Sequence, residues 1–242
     1  MAFIQFTGRP GAILAFVLAI FCPALSHAQL VFATLVDQRP SSMMAQRVLA
    51  HAYGQLGITV RFEELPNSRA RSLLDSHAID GVDYRIVDNQ VSDLEKIAIP
   101  IAYEEFAVFS VNKHFKVAGY QSLQPYTIGH LAGARIFEEK LKGMQVDTAP
   151  NLESLFNKLE AGRTDIALDS RSSYCIARKL GLKNVTMLEP SLEKILAYHW
   201  LSKRHQALIP QLEAVLKKMK QDDTIKRLQD DAWKDFNARC KA

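Results

Sequence analysis

Two stretches of this chain are built to one plan. The run from Leu74 to Val82 and the run from Leu159 to Ala167 each close an amphipathic helix, make a short turn and enter a short apolar strand behind an aspartate. That aspartate is Asp80 in the first and Asp165 in the second. Both strands run out into charge, at Asp83 and Arg85 in one copy and at Asp169 and Arg171 in the other. The copies drift by one residue at their ends, so they share an architecture and are not a strict repeat. In open α/β sheets small ligands bind just beyond the carboxyl ends of strands. Two such ends in two half-chains predict two lobes facing one cleft.

The first 28 residues are expected to stand outside that fold. Arg9 precedes an apolar run from Ala12 to Phe21, then Pro23, and Ser26-His27-Ala28 offers small residues for cleavage before Gln29. This is the grammar of an export signal, and it predicts a periplasmic location. A membrane anchor is the rival reading. The run falls short of the roughly 20 apolar residues a spanning helix needs, and no stop-transfer charge cluster follows it. The remainder suffices for one large domain or two small ones.

The balance of 30 basic and 26 acidic residues gives a formal net charge of only +4. Basic pairs such as Lys217-Lys218 and Lys226-Arg227 alternate with acids on helical faces and read as solvated surface. No nucleic-acid partner is expected. Cys22 leaves with the signal, so Cys175 and Cys240 remain. In an oxidising compartment they can form a disulfide, and the sequence leaves that pairing open. There is no CxxC and no His/Cys cluster with ligand spacing, so neither a metal nor a cofactor is expected.

The mature chain alternates strands and helices. Leu30–Leu35 reads as a strand broken at Asp37-Gln38-Arg39-Pro40, and Ser41 or Ser42 can cap the following helix, which Gly57 stops. A strand over 58–62, a helix through Leu73 and Leu74 and a strand over 79–82 complete a β-α-β-α-β series, which implies parallel pairing. Another strand runs from Phe106 to Val111. A second series follows, with strands at 126–130, 145–147 and behind Asp165. Its helices are expected at 136–141, at 152–159 behind an Asn151 cap, and at 172–180. Strands at 185–188 and 195–201 precede two closing helices over 209–219 and 224–236. No long Gly/Ser-rich linker appears, which favours hinged lobes over independent beads.

Several local patterns together resemble one family. They are Glu160-Ala161-Gly162-Arg163-Thr164-Asp165 before a strand, Leu65-Pro66 with Arg69 before a helix, and Ile97-Ala98-Ile99-Pro100-Ile101-Ala102-Tyr103 at a strand-to-hinge passage. The tail from Tyr198-His199-Trp200 through Leu208, Leu212, Leu216, Met219 and Ile225 completes the set. With these the chain resembles the bacterial extracellular solute-binding proteins of family 3, the polar amino-acid type of periplasmic binding protein. The resemblance spans residues 30 to 238. It implies an α/β, two-lobed type II periplasmic-binding-protein-like fold joined by two hinge strands. The implied division is lobe 1 over 29–108, lobe 2 over 109–200, and C-terminal helices over 201–242 returning to lobe 1. It further implies a monomer that captures a small polar solute, amino-acid-like or carboxylate-bearing, for handover to an ABC-type membrane permease.

The chain departs from the family in its grip. Transporting members place aromatics after the first strand, where this chain has Asp37-Gln38-Arg39-Pro40. Where the family has its carboxylate-gripping arginine this chain reads Ser92-Asp93-Leu94-Glu95, and Arg85 is the nearest candidate. The amino-gripping aspartate falls on Ser170, with Asp169 one earlier. The ligand candidates are accordingly Arg85, Asp169 and Arg171 at strand ends, Arg39 and Ser41 on the first strand-to-helix turn, and Ser170. Arg69 offers a second guanidinium, Arg135 an anion-binding helix start, Tyr103 a stacking ring and His130 a strand-end contact. For Arg85 the plainer alternative is a surface pair with Asp83 or Asp88. Two other functions compete on the same fold. One is a cleft-carboxylate enzyme of dehydratase or cell-wall-lyase type, with Glu104, Glu105, Asp169 or Glu189 as its acid; no catalytic constellation stands out. The other is a soluble sensory module.

Overall fold

The computed structural model describes residues 29–34, 39–86 and 93–240. The expected signal segment, the Asp37-Gln38 break and Asp88 lie outside the described residues. The first half of the chain forms β1 (Gln29–Thr34), α1 (Pro40–Gln55), β2 (Thr59–Glu64), α2 (Asn67–Asp75), β3 (Gly81–Arg85) and β4 (Leu94–Lys96). β5 (Ala102–Ser110) leads into β6 (Ile128–Leu131), α3 (Arg135–Lys140), β7 (Val146–Ala149), α4 (Leu152–Glu160), β8 (Ile166–Ser170) and α5 (Tyr174–Lys179). The long β9 (Thr186–Ser202), then α6 (Ile209–Gln221) and α7 (Thr224–Cys240), complete the order. The sheet runs β2-β1-β3-β9-β5-β8-β6-β7, with β4 also paired to β9. β1 is parallel to β2 and β3, and β6 is parallel to β7 and β8, as alternating strands and helices demand. The fold is the two-lobed α/β arrangement.

Strand alternation builds a core on each face of each half. In lobe 1, Phe32 lies with Met44, Leu49, Tyr53 and Leu216, whereas its neighbour Ala33 lies with Leu74, Ile79 and Trp200. In lobe 2, Phe106 and Val108 face Ile128 and Phe137, while Ala107 and Phe109 face Leu155 and Phe156. This is the period of two expected of strands covered on both sides. The crossing points follow from core membership. Ala102 belongs to the first core and Phe106 to the second, so the chain passes over at Tyr103–Glu105. It returns at Leu196, between Ile195 on the second core and Ala197 in the first.

The repeated plan is visible in atoms. Asp80 exchanges two hydrogen bonds with Val31 on β1: its amide donates to the Val31 carbonyl and its Oδ2 accepts from the Val31 amide, each at 2.7 Å. Asp165 does the same with Thr127, just before β6, each at 2.9 Å. Burial opposes the Asp80 charge, but the Val31 amide, Arg204 and His205 outweigh it and hold the carboxyl below its ordinary range. The Thr127 amide does likewise for Asp165, with help from Lys113. Both preceding helices end with a residue in the left-handed region, His77 at φ 57° and Gly162 at φ 68°. In each, the next amide reaches back five residues, Ala78 to Leu73 and Arg163 to Lys158, the Schellman closure. Gly81 then enters β3 where a Cβ would stand 2.3 Å from the Trp200 carbonyl oxygen.

Some expectations need correction. Ser41 and Ser42 do not cap α1. Pro40 occupies its first turn with a preset φ, and both serines are buried inside the helix. The strand expected over 79–82 is β3, displaced to Gly81–Arg85 because Asp80 is engaged as an anchor. The strands expected at 185–188 and 195–201 are one strand, β9, continuous through a cis Glu189–Pro190 bond. Asn151 caps α4 as expected, accepting from the Ser154 amide.

Cys175 and Cys240 form a disulfide, with Cα atoms 5.4 Å apart. It joins α5 in lobe 2 to the end of α7, which rests on α1 through Ile225 and Ala232 and through an Arg47–Asp235 ion pair. The Tyr174 hydroxyl also donates to Asn237 at 2.7 Å, and the Trp233 indole donates to Tyr103 at 3.0 Å. α7 is therefore a strap across the back of the hinge.

Candidate functional site

A cavity of about 500 Å³ opens beyond the carboxyl ends of β1 and β3, where β5 crosses between the lobes. Thr34 and Asp83 form its floor, Arg39 enters from the start of α1, Arg71 from α2 and Arg85 from the end of β3. Glu104 and Phe106 close it from the hinge strand. Leu65, Leu74, Val82 and Ile86 are the larger apolar members of the wall, beside Tyr84.

Glu104 lies on the same face of β5 as the buried Ala102 and Phe106, and it is 7% exposed. Its Oε2 accepts from the Ser41 hydroxyl of lobe 1 at 2.9 Å, and its Oε1 accepts from the Ser170 hydroxyl of lobe 2 at 2.6 Å. The Ser41 hydroxyl also meets the Tyr84 phenol at 3.0 Å, and Ser170 meets Ser172 at 2.8 Å. One carboxyl thus ties the two lobes through short hydroxyls. Burial pushes the Glu104 carboxyl above its ordinary range, against the lowering pull of Ser170, the Arg39 charge and Ser41. Burial also pushes the Tyr84 phenol up, to about 12.

Asp83 is 2% exposed. It accepts from Thr34 Oγ1 at 2.6 Å and from the Tyr84 amide at 2.7 Å. Arg85 has no ion pair among the described residues. Its guanidinium lies 5.6 Å from the Trp200 ring centroid, a cation–π contact. Burial and the like charge of Arg71 both lower its pKa, so two guanidiniums stand near each other in the cleft. Arg71 itself pairs loosely with the exposed Asp75 at 3.4 Å.

The expected site residues divide into groups. Arg39 and Arg85 line the cleft, and Ser41 and Ser170 bound it through Glu104. Asp169 is buried beside them and accepts a hydrogen bond from Ser173. His130 is buried too, its Nδ1 held by the Leu131 carbonyl at 2.9 Å and its ring beside Phe137. Arg69 and Arg135 are exposed and do not line the cavity. Tyr103 and Arg171 do not line this cavity; they line a separate groove of about 760 Å³ behind the hinge. Arg171 is spent there on Glu189 at 2.6 Å, Glu105 at 3.4 Å and Ser191 at 2.9 Å, and the Glu189 contact leads in raising its pKa. Tyr103 lies under the Lys194 ammonium, 3.5 Å from its ring centroid. Three charged residues that line the cleft, Arg71, Asp83 and Glu104, are absent from the expected ligand set, and Glu104 enters the expectations only as a possible acid.

Among the described residues no group of His, Cys, Asp and Glu could hold a metal ion. No described helix is long and apolar enough to cross a membrane.

No family model matches the chain. It is 30% identical over 202 residues to an uncharacterized protein of Shewanella oneidensis, covering 79% of this chain and 76% of that one. Among solved structures it is similar to the probable amino-acid ABC transporter extracellular-binding protein ytmK from Bacillus subtilis. The TM-score is 0.67 at 16% identity, over 83% of this chain and 96% of that one. It is also similar to a histidine kinase sensor domain with similarity to periplasmic binding proteins, with a TM-score of 0.60 at 15% identity over 85% and 96% of the two chains. The chain therefore belongs to one family with the Shewanella oneidensis protein, and its fold is that of the two-lobed periplasmic binding proteins.

Proposed function

We propose that this chain is an exported solute-binding protein, active as a monomer in the periplasm. It captures a small polar solute, carboxylate-bearing or amino-acid-like, between a lobe of residues 29–108 and 201–242 and a lobe of residues 109–200. Closure then presents the loaded form to a membrane permease. The observation that carries this reading is the cleft at the hinge, with the Arg85 guanidinium at the strand tip beside it and no ion pair of its own among the described residues. A planar guanidinium suits a carboxylate bidentately. The likeness to ytmK, a probable amino-acid ABC transporter extracellular-binding protein, supports a transport role, and a disulfide supports an oxidising compartment. A catalytic role for Glu104 is the weaker reading, because both of its oxygens already accept hydroxyl hydrogens.

A thermal-shift screen of the twenty amino acids and a set of small mono- and dicarboxylates tests the proposal. A true ligand at a hundred times its Kd should stabilise the fold by about 2.7 kcal/mol and be recovered unchanged. It should also reduce the radius of gyration in small-angle scattering, and Arg85→Ala should weaken it by tenfold or more. Turnover of the solute would move the protein to the enzyme class. Indifference to Arg85→Ala would remove the cleft from the binding site.

A further inference from the structure

We propose that Glu104 is a proton-operated latch on the cleft: protonated, it holds the lobes as described above, and ionised, it lets them part and admit solute. This deepens the capture reading, whose regulation it names, and rests on it. Glu104 stands on β5 within the crossing at Tyr103–Glu105, and it lines the cleft although it is buried. It is bonded to one hydroxyl of each lobe, Ser41 at 2.9 Å and Ser170 at 2.6 Å. Hinge rotation about the crossing carries Ser170 away from Ser41, and a single carboxyl cannot follow both. Parting the lobes therefore breaks one of these bonds and lets water reach the group.

The flanking hydroxyls can serve both forms of the acid. Ser41 lies 3.0 Å from the Tyr84 phenol and Ser170 lies 2.8 Å from the Ser172 hydroxyl, and in each pair either oxygen can be the donor. When Glu104 is ionised, both serines donate to it. When it is protonated, it donates to one serine, which turns its own hydrogen to Tyr84 or Ser172. The chain from Tyr84 through Ser41, Glu104 and Ser170 to Ser172 thus holds the neutral acid without losing a bond. Among the described residues, Arg39 at the entry to α1 favours the ion and Asp169 on β8 opposes it. β3 brings Asp83, the Tyr84 phenol and Arg85 to the same cavity, and α2 brings Arg71. β9 sets the apolar Ile195 opposite Glu104 in the strand pairing. Burial outweighs the pull toward the ion and favours the neutral acid in this arrangement. Water stabilises an ion far more than a neutral acid, so ionisation draws the cleft open and protonation draws it back.

Small-angle scattering of the oxidised protein, without added solute and in carboxylate-free buffers, tests this in pH steps upward from the ordinary carboxylate value of 4.5. The radius of gyration of the wild type should rise in a single step and then level off. Glu104→Gln keeps a partner for both serines and cannot ionise, so it should hold the smaller radius at every pH. Ser170→Ala cuts the tie to lobe 2 and should show the larger radius already at the lowest pH. A wild-type radius that does not change with pH overturns the inference and leaves the capture reading standing. So does a step of wild-type size in Glu104→Gln, or, should that variant not fold, in Ser170→Ala. A step in the wild type that both variants abolish supports the latch, and the capture reading then stands or falls on the solute screen alone.

Discussion

Glu104 concentrates the logic of the site in one side chain. Its pKa in the folded state lies above the ordinary value of 4.5, chiefly through burial, so folding favours the protonated form. The stability it contributes is whole below that ordinary value and is lost as pH rises through the raised one. Glu104→Gln keeps the shape and removes the titration. Its melting temperature relative to wild type should therefore rise as pH climbs above the ordinary carboxylate value and level off once the raised one is passed, measured by calorimetry at several pH values. A constant difference across those values would mean the carboxylate folds charged. The sequence offered Glu104 only as a possible acid, because the expected strand began at Phe106 and not at Ala102. Strand alternation through Ala102, Glu104 and Phe106 puts a carboxyl on an apolar face, and the same alternation puts Tyr103 and Glu105 on the opposite one. The signal for Arg71 was fainter. Ala70 and Leu74 mark the buried stripe of α2, and Arg71 stands nearer to it than Arg69 by helical angle. Nothing in the sequence gave Arg171 its three partners, because Glu105, Glu189 and Ser191 arrive from distant strands.

At the scale of elements, α7 is the one whose role the sequence concealed. Its apolar spacing announced a helix and the family resemblance placed it on lobe 1, but the partner of Cys240 depends on where α5 ends up. The bridge closes a separation of 65 residues, which the chain-entropy account values at about 4 kcal/mol. The Cys175→Ser, Cys240→Ser double variant should melt roughly 10 °C lower than the oxidised protein in a calorimetric scan. A loss of under about 1 kcal/mol would show that the strap is held by Trp233, Asn237 and the α1 contact without it. The helix pattern was otherwise readable, since Asn151 and Gly57 mark real ends. The first turn of α1 was misread because Pro40 satisfies it without a serine. The continuity of β9 was hidden by Pro190, a residue that ordinarily speaks against a strand interior.

The whole molecule is limited at acid pH by a group far from any surface. His199 is fully buried between Tyr53 and the β3 backbone. Its Nδ1 faces the Val82 and Asp83 carbonyls at 2.8 and 3.2 Å and so carries the proton, leaving Nε2 to accept from the Tyr53 hydroxyl at 3.0 Å. Burial lowers its pKa from 6.5 to about 4. A depressed folded pKa gives stability that is present above 6.5 and is lost as pH falls toward 4. Between pH 7 and pH 4.5 this single residue should remove about 2–3 kcal/mol, visible in denaturant titrations. His199→Gln should flatten that decline, and an equally steep decline in the variant would place the acid sensitivity elsewhere. The two-lobed plan itself was legible because both halves spell it. The aspartates that betrayed it, Asp80 and Asp165, each bolt a strand end to the first strand of its own half. Each jaw is thereby made a stiff plate, and bending is left to the short crossings at Tyr103–Glu105 and Leu196. Whatever enters the mouth is met by two preset surfaces, and the work of gripping is spent on travel and not on reshaping.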